Sequence, residues 1–296
     1  MKTLTPHLWF DTEAKEATEF YTSIIPNSKI THVSTIHDTP SGDCDIVSFE
    51  LAGQPFMAIS AGPFFKFTPA VSFHIRCKTV EEVDELWKKL SPGATVMMDL
   101  GEYPFSKRYG WLADKYGLSW QIIYSDRPFT QVVVPALTFV GTVAGKAEEA
   151  MNLYTSVFAP KGPSKINAVM RYGKGMEPDK EGTVNFASFT IAGVEFVAMD
   201  SAHDHQFAFN EAISFMIPCE SQEEIDYFWG KLSAVPEAEQ CGWLKDKFGV
   251  SWQVTATAMD EMMAKGTPEQ VDRVTKTFLK MKKFDIAELK RAYEGT

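Results

Sequence analysis

No apolar run in this sequence approaches the roughly 18 residues of a membrane span. The opening MKTLTPHLWF also lacks the long apolar core of a secretory signal. Positive charge is in deficit: 29 Lys and Arg stand against 39 Asp and Glu, a formal net charge of -10. A nucleic-acid binder needs a basic face that neutralises phosphates and releases counterions, so this balance argues for no nucleic acid partner. Cysteine is scarce, and Cys44, Cys77, Cys219 and Cys241 are too scattered for a disulfide framework or a CxxC metal site. They read as buried thiols. The expectation is a soluble, cytoplasmic protein with no membrane contact. Its 296 residues, 45% of them hydrophobic, suffice for about two domains.

What the sequence has in abundance is itself. Gly110 to Ile122 reads GWLADKYGLSWQI and Gly242 to Val254 reads GWLKDKFGVSWQV, identical at nine of thirteen positions. FYTSI from Phe20 matches LYTSV from Leu153, and VSFELAGQPF from Val47 matches ASFTIAGVEF from Ala187. AVSFHIRCKTVEEVDELWKKLS from Ala70 matches AISFMIPCESQEEIDYFWGKLS from Ala212, so six of the seven tryptophans have a partner. Four collinear matches define a tandem repeat: a first copy over 1–126, the linker RPFTQVV, a second copy over 134–257, and a tail over 258–296.

Each copy reads as strand, helix and three strands, taken twice. Thr5 to Phe10 is a strand. Glu13 to Ile24 is a helix with Ala14, Ala17, Phe20, Tyr21 and Ile24 at spacings of three or four. Thr79 caps a helix ending near Leu90, with Val83, Leu86, Trp87 and Leu90 as its buried stripe. In each GWLxDKxGxSWQ segment the Asp and Gly (Asp114 and Gly117, Asp246 and Gly249) suit a hairpin turn, which is a structural role. The tail is helical, with Thr267, Pro268 and Gln270 as a capping signal and Asp285 with Glu288 as a second. Lys276, Lys280, Lys282 and Lys283 form its solvated face.

On LWFDTEAKEATEFYTSIIPNS, AVSFHIRCKTVEEVDELWKKLS, the GWLxDKxGxSWQ hairpin and the ending MKKFDIAELKRAYEG, the chain resembles the vicinal-oxygen-chelate (glyoxalase, bleomycin resistance and dioxygenase) superfamily, within it the PhnB-like branch. That resemblance implies an α+β fold: tandem glyoxalase-like domains built from paired βαβββ modules whose curled sheets form cups for small molecules. It implies no reaction. Some members are labelled demethylubiquinone methyltransferases, but the sequence shows no glycine-rich strand-to-helix loop followed by an acidic residue.

Period-two alternation sorts the residues by face. His7 and Trp9, Ser72, His74 and Arg76, and Gln121 fall on the cup side of the first copy, with Trp111 nearby. The second copy carries Ala136, Thr138, Ser214, Met216 and Pro218 at the matching places, with Gln253 in the place of Gln121 and no histidine or arginine. The polar set is therefore expected to serve one cup in the first copy. Three readings of it stay open. His7, His74 and Gln121 with Glu50 could hold a divalent metal, Zn, Fe or Mn, against vicinal oxygens of a substrate. A histidine of near-neutral pKa could move a proton while Arg76 holds an anion. Or the histidines are simply hydrogen-bonded at the sheet rim. In register with glyoxalase-like enzymes, the resemblance puts the ligand positions at Thr5, Ser72 and Gln121, each histidine lying two residues on and on the same face. The expected function is small-molecule binding, as a metal-dependent enzyme or as a sequestering, resistance-type protein in which Trp9 and Trp111 would dominate. The second copy then acts as a built-in partner, a pseudo-dimer within one chain that leaves further homodimerisation open. DSAHDH, with Asp200, His203, Asp204 and His205, reads as a solvated loop, and His32 and His37 receive no role.

Overall fold

A computed structural model describes residues 3–39 and 41–296, so the first two residues of the first copy lie outside the described residues. In chain order the first copy contributes β1 (Thr5–Phe10), α1 (Ala14–Ile24), β2 (Lys29–Thr39), β3 (Gly42–Leu51), β4 (Gln54–Ser60), β5 (Val71–Cys77), α2 (Val80–Leu90), β6 (Thr95–Tyr103), β7 (Ser106–Ala113) and β8 (Ser119–Tyr124). The second contributes β9 (Val133–Phe139), α3 (Ala147–Phe158), β10 (Lys165–Arg171), β11 (Val184–Ile191), β12 (Val194–Asp200), β13 (Ile213–Cys219), α4 (Gln222–Leu232), β14 (Trp243–Lys245) and β15 (Ser251–Ala256). The tail folds as α5 (Thr257–Lys265), α6 (Pro268–Phe278) and α7 (Ile286–Glu294).

Local signals set the helix ends. The Thr79 side chain accepts from Glu82 N at the start of α2. Thr267 and Gln270 close a reciprocal capping box at the start of α6, with Pro268 in the first turn. Asp285 accepts from Glu288 N before α7.

The strands form two mixed sheets, in the orders β14-β15-β13-β1-β4-β3-β2 and β10-β11-β12-β9-β5-β8-β7-β6. Each sheet draws on both copies, because β1 pairs antiparallel with β13 and β5 antiparallel with β9. This corrects the expectation of a cup belonging to the first copy. The reason lies in the core. Within one copy the two modules pack through their apolar faces, Phe56 of β4 on Phe73 of β5 at 5.3 Å and, in the second copy, Phe196 on Phe215 at 5.1 Å. Modules stacked this way cannot also pair edge to edge, so each first-strand edge is completed by the other copy. The two copies thus pair as a pseudo-dimer within one chain.

Each copy is also clamped by a buried carboxylate in its last hairpin. Asp114 accepts from Tyr116 N, Leu118 N, Tyr21 Oη and Trp120 Nε1 at 2.8 to 3.1 Å, and Asp246 accepts from Phe248 N, Val250 N, Tyr154 Oη and Trp252 Nε1 at 2.6 to 3.0 Å. The structural role of this Asp extends beyond the turn, since its second oxygen gathers a tyrosine and a tryptophan that are otherwise fully buried.

The second copy departs from βαβββ in its last module. Gly110 follows Leu90 by twenty positions but Gly242 follows Leu232 by only ten, and among the described residues the seven-stranded sheet has no counterpart of β6. The tail occupies that edge instead: Cys241 N donates to Met281 O at 2.8 Å and Gly242 N to Lys282 O at 2.7 Å. Phe284 lies so close to Gly242 that a Cβ there would sit 2.8 Å from its ring. Lys276, Lys280, Lys282 and Lys283 are exposed, as expected.

Candidate functional site

The alternation that sorted the faces also fixes what each sheet presents. Leu8 and Phe10 enter the core, while His7 and Trp9 take the opposite face; Phe73 and Ile75 enter the core, while Ser72, His74 and Arg76 do not. Pairing then divides the candidate residues. His7, Trp9 and Glu50 belong to the seven-stranded sheet; Ser72, His74, Arg76, Trp111 and Gln121 belong to the eight-stranded one.

On the eight-stranded sheet, His74 stands beside Gln121 of β8 and Val134 of β9 in the strand registers. Gln121 is held at both ends: its Nε2 donates to Ser72 Oγ at 2.8 Å, and its Oε1 accepts from Tyr109 Oη at 2.6 Å. Trp111 Nε1 donates to Ser119 Oγ at 2.8 Å. The floor beside His74 is apolar, a cluster of Val134, Ala136 and Val197 with Phe186 against it. At the rim Tyr109 meets Tyr103 and Phe105 edge-on, at 5.5 and 5.0 Å, and Phe105 and Met170 are largely exposed. Arg76, which one of the three readings gave an anion to hold, is paired through both terminal nitrogens with Glu195 of β12, at 2.5 and 2.9 Å.

On the seven-stranded sheet, His7 lies in one row with Ser214 of β13 and Ser251 of β15. Gln253 Nε2 donates to Ser214 Oγ at 2.9 Å, repeating the Gln121–Ser72 bond. Trp9 Nε1 donates to Gly62 O at 2.8 Å, and the Trp9 ring meets Phe65 and Trp243 edge-on at 5.1 and 6.0 Å.

Both histidines are almost fully enclosed, His7 4% and His74 5% exposed. Burial pushes the His7 imidazole down to about 3; burial first and the nearby Arg76 guanidinium second push His74 down to about 3. Both rings are therefore neutral near pH 7. Four buried side-chain polar atoms among the described residues have no hydrogen-bond partner: His7 Nδ1, His74 Nε2, Thr138 Oγ1 and Ser251 Oγ. All four lie on the sheet faces turned away from the shared core, the faces that a glyoxalase-like fold curls into concavities, two per sheet. Sequence reasoning put Thr138 on the cup face without a role and passed over Tyr109, Phe186, Trp243 and Ser251; the signal for the last two was their exact repetition of Trp111 and Ser119.

The four residues weighed as metal ligands are not brought together. His7 and Glu50 are on one sheet and His74 and Gln121 on the other, Glu50 faces Lys29 at 3.4 Å, and the Gln121 oxygen is taken by Tyr109. Among the described residues no group of three or more His, Cys, Asp or Glu is placed to hold a metal ion. The donor set present does not fit a Zn, Fe or Mn centre, which needs three or more converging protein ligands.

The DSAHDH loop is also structural. Asp200 accepts from Ala147 N and Val184 N, acting as a remote cap for α3, and His205 Nε2 meets Ser201 Oγ at 2.9 Å. Two surface hollows of about 230 and 300 Å³ lie at the junction of the copies, around Gln54 and Gln131, and at the β6–β7 tip, around Tyr103 and Phe105. Neither is lined by any of the four unpartnered polar atoms.

The sequence profile of the 3-demethylubiquinone-9 3-methyltransferase family matches residues 2–123 and again 131–255. The chain belongs to that family, the PhnB-like branch of the vicinal-oxygen-chelate superfamily. Its relatives of known structure include the PhnB protein from Bacillus cereus, 40% identical over 41% of this chain and 98% of that one, with a TM-score of 0.39. Glyoxalase I from Zea mays matches 85% of this chain and 90% of its own at 11% identity and a TM-score of 0.51, a likeness of fold. The genomically encoded fosfomycin resistance protein from Listeria monocytogenes matches 40% of this chain and 88% of its own, at 16% identity and a TM-score of 0.32. Among curated proteins none matches. As a tandem member of this superfamily the chain has a glyoxalase-like, small-molecule-binding architecture, and among the described residues no helix is long and apolar enough to cross a membrane.

Proposed function

We propose that this protein binds and sequesters a small, neutral, partly aromatic molecule in the concavity of the eight-stranded sheet, anchored on His74, without a metal. The observation that carries the reading is the position of the unpartnered polar atoms. Leaving a buried donor or acceptor unpaired costs about 1–3 kcal/mol, and native structures keep few such atoms. Here all four sit on the two concave faces. A ligand hydroxyl would remove the cost at His74 Nε2 whichever nitrogen carries the proton, because a hydroxyl both donates and accepts.

The surroundings favour the class of ligand. Val134, Ala136 and Val197, all enclosed, with Phe186 against them, make the surroundings of His74 apolar, and Tyr109 and Trp111 are held by hydrogen bonds to Gln121 and Ser119, so a ligand that reaches His74 replaces side-chain packing with its own apolar and aromatic surface. Arg76 is engaged by Glu195, which disfavours a carboxylate or phosphate ligand. A proton shuttle at His74 is disfavoured too, since an imidazole held down to about 3 is a weak base. One chain completes both concavities, so the binding unit in this reading is a single chain; homodimerisation would add a contact but no residue to the site.

The test is a thermal-shift screen of phenols and aromatic amides, run beside metal analysis of the dialysed protein. Saturable stabilisation without added metal and without turnover supports the reading. A near-stoichiometric first-row metal whose removal abolishes ligand stabilisation refutes it.

A further inference from the structure

The two concave faces are built from repeated residues, yet one repeated pair behaves differently in each. GWLxDKxGxSWQ places Trp and Ser eight residues apart in both copies, Trp111 with Ser119 and Trp243 with Ser251. On the eight-stranded sheet Trp111 Nε1 donates to Ser119 Oγ at 2.8 Å. On the seven-stranded sheet that bond is absent: Ser251 Oγ is buried with no partner, and the Trp243 ring lies edge-on to His7 at 5.3 Å. The His7 Nδ1 atom is likewise buried with no partner.

The difference has a structural cause. His7 occupies the place that Ala136 occupies in the second copy, so only the seven-stranded sheet offers the tryptophan an imidazole to lean on. The outer flanks of the two tryptophans differ as well. Trp111 is flanked by Met98 of β6, whereas β14 has no neighbouring strand beyond it and the tail bonds to the backbone at Cys241 and Gly242.

We propose that the seven-stranded sheet carries a second ligand site gated by Trp243, for a small neutral aromatic alcohol. In the occupied form the indole leaves His7 and donates to Ser251 Oγ, as Trp111 does to Ser119. His7 Nδ1, thereby uncovered, takes a hydrogen bond with the ligand hydroxyl. One motion thus gives a partner to both orphaned atoms of this sheet. A hydroxyl suits His7 in either tautomer, and Met57, beside His7 in β4, with Met216, beside Thr5 in β13, supplies adaptable apolar surface for the ring. The site does not depend on binding at His74, which lies on the other sheet.

The test uses the full chain labelled with 5-fluorotryptophan and titrated with 1-naphthol, with the Trp243 and Trp111 fluorine resonances assigned from Trp243→Phe and Trp111→Phe. The Trp243 resonance is expected to move saturably, in the wild type and in His74→Leu alike. Ser251→Ala removes the destination of the indole and is expected to weaken this binding about tenfold, the loss of one hydrogen bond's worth of affinity; His7→Leu abolishes it. Ser251→Ala removes a buried hydroxyl without a partner and His7→Leu an imidazole whose Nδ1 has none, so both variants are expected to fold. A Trp243 resonance unmoved at the solubility limit of 1-naphthol overturns the proposal, as does movement unchanged in His7→Leu and Ser251→Ala. Movement at Trp111 alone also overturns it while leaving the His74 site standing.

Discussion

Tyr21 and Asp114, 93 residues apart in sequence, share a buried 2.8 Å hydrogen bond that ties α1, over the seven-stranded sheet, to the last hairpin of the eight-stranded one. Tyr154 and Asp246 repeat it in the second copy at 2.6 Å. These bonds are made to carboxylates that are 4% and 1% exposed. Burial raises both carboxyl pKa values, opposed by the four donors each one gathers. Tyr21→Phe and Tyr154→Phe should each lower stability by about 1.5–3 kcal/mol, the range for a hydrogen bond to a charged group. Urea denaturation measures this, and an unchanged midpoint for both variants would refute the clamp.

Acidification should weaken the fold through its two enclosed histidines. Their folded-state pKa values are depressed to about 3 from 6.5, so above 6.5 both states hold neutral rings and the stability is fully present. As pH falls below 6.5 the unfolded chain takes up protons that the native state refuses until about 3. Each histidine then costs about 1.4 kcal/mol per pH unit. Asp114 and Asp246, raised by burial, act in the opposite sense, so in the window below 6.5 the histidine contribution is the difference between the wild type and a variant that lacks both imidazoles. Melting temperatures across that window should fall for the wild type and flatten for the His7→Leu/His74→Leu double variant.

Gly110 is required by contact and not by backbone conformation. A Cβ there would sit 2.3 Å from the Trp87 ring, which packs from α2 onto β7. Gly110→Ala should cost about 1–3 kcal/mol by overpacking. Gly101 in the adjacent strand, whose added Cβ would meet nothing closer than 3.7 Å, serves as the control. Equal losses at the two positions would contradict this account.

Glu195 decides which charge the eight-stranded concavity tolerates. It pairs with Arg76, and Glu195→Ala should leave a half-buried guanidinium in search of an anion. Calorimetric titration with benzoate should show binding to the variant and none to the wild type. Benzoate binding of equal strength to both would mean that Arg76 is already free for ligands.

Much of the fold was legible because it is written locally. The repeat, the Thr79, Thr267 and Asp285 caps, and the face on which His7 and His74 stand all follow from spacings of a few residues. Alternation assigns a strand's face but not its neighbour. The pairing of β1 with β13 and of β5 with β9 is a contact between copies, set by how the apolar faces stack within each copy, and no local pattern carries it. Treating each copy as its own cup therefore gathered His7 and His74 into one site when the strands divide them. The unpartnered atoms of Thr138 and Ser251 were out of reach for the same reason, since ordinary strand hydroxyls become conspicuous only when their neighbours are known.

The most direct test of the account is His74→Leu, measured for melting temperature with and without the phenol that most stabilises the wild type. Replacing a buried imidazole whose Nε2 has no partner by an apolar side chain of similar size should raise the melting temperature of the free protein by a few degrees. The same change should remove most of the ligand-induced shift. A variant that melts lower than the wild type and keeps the full shift would contradict the claim that His74 is held unpaired for a ligand.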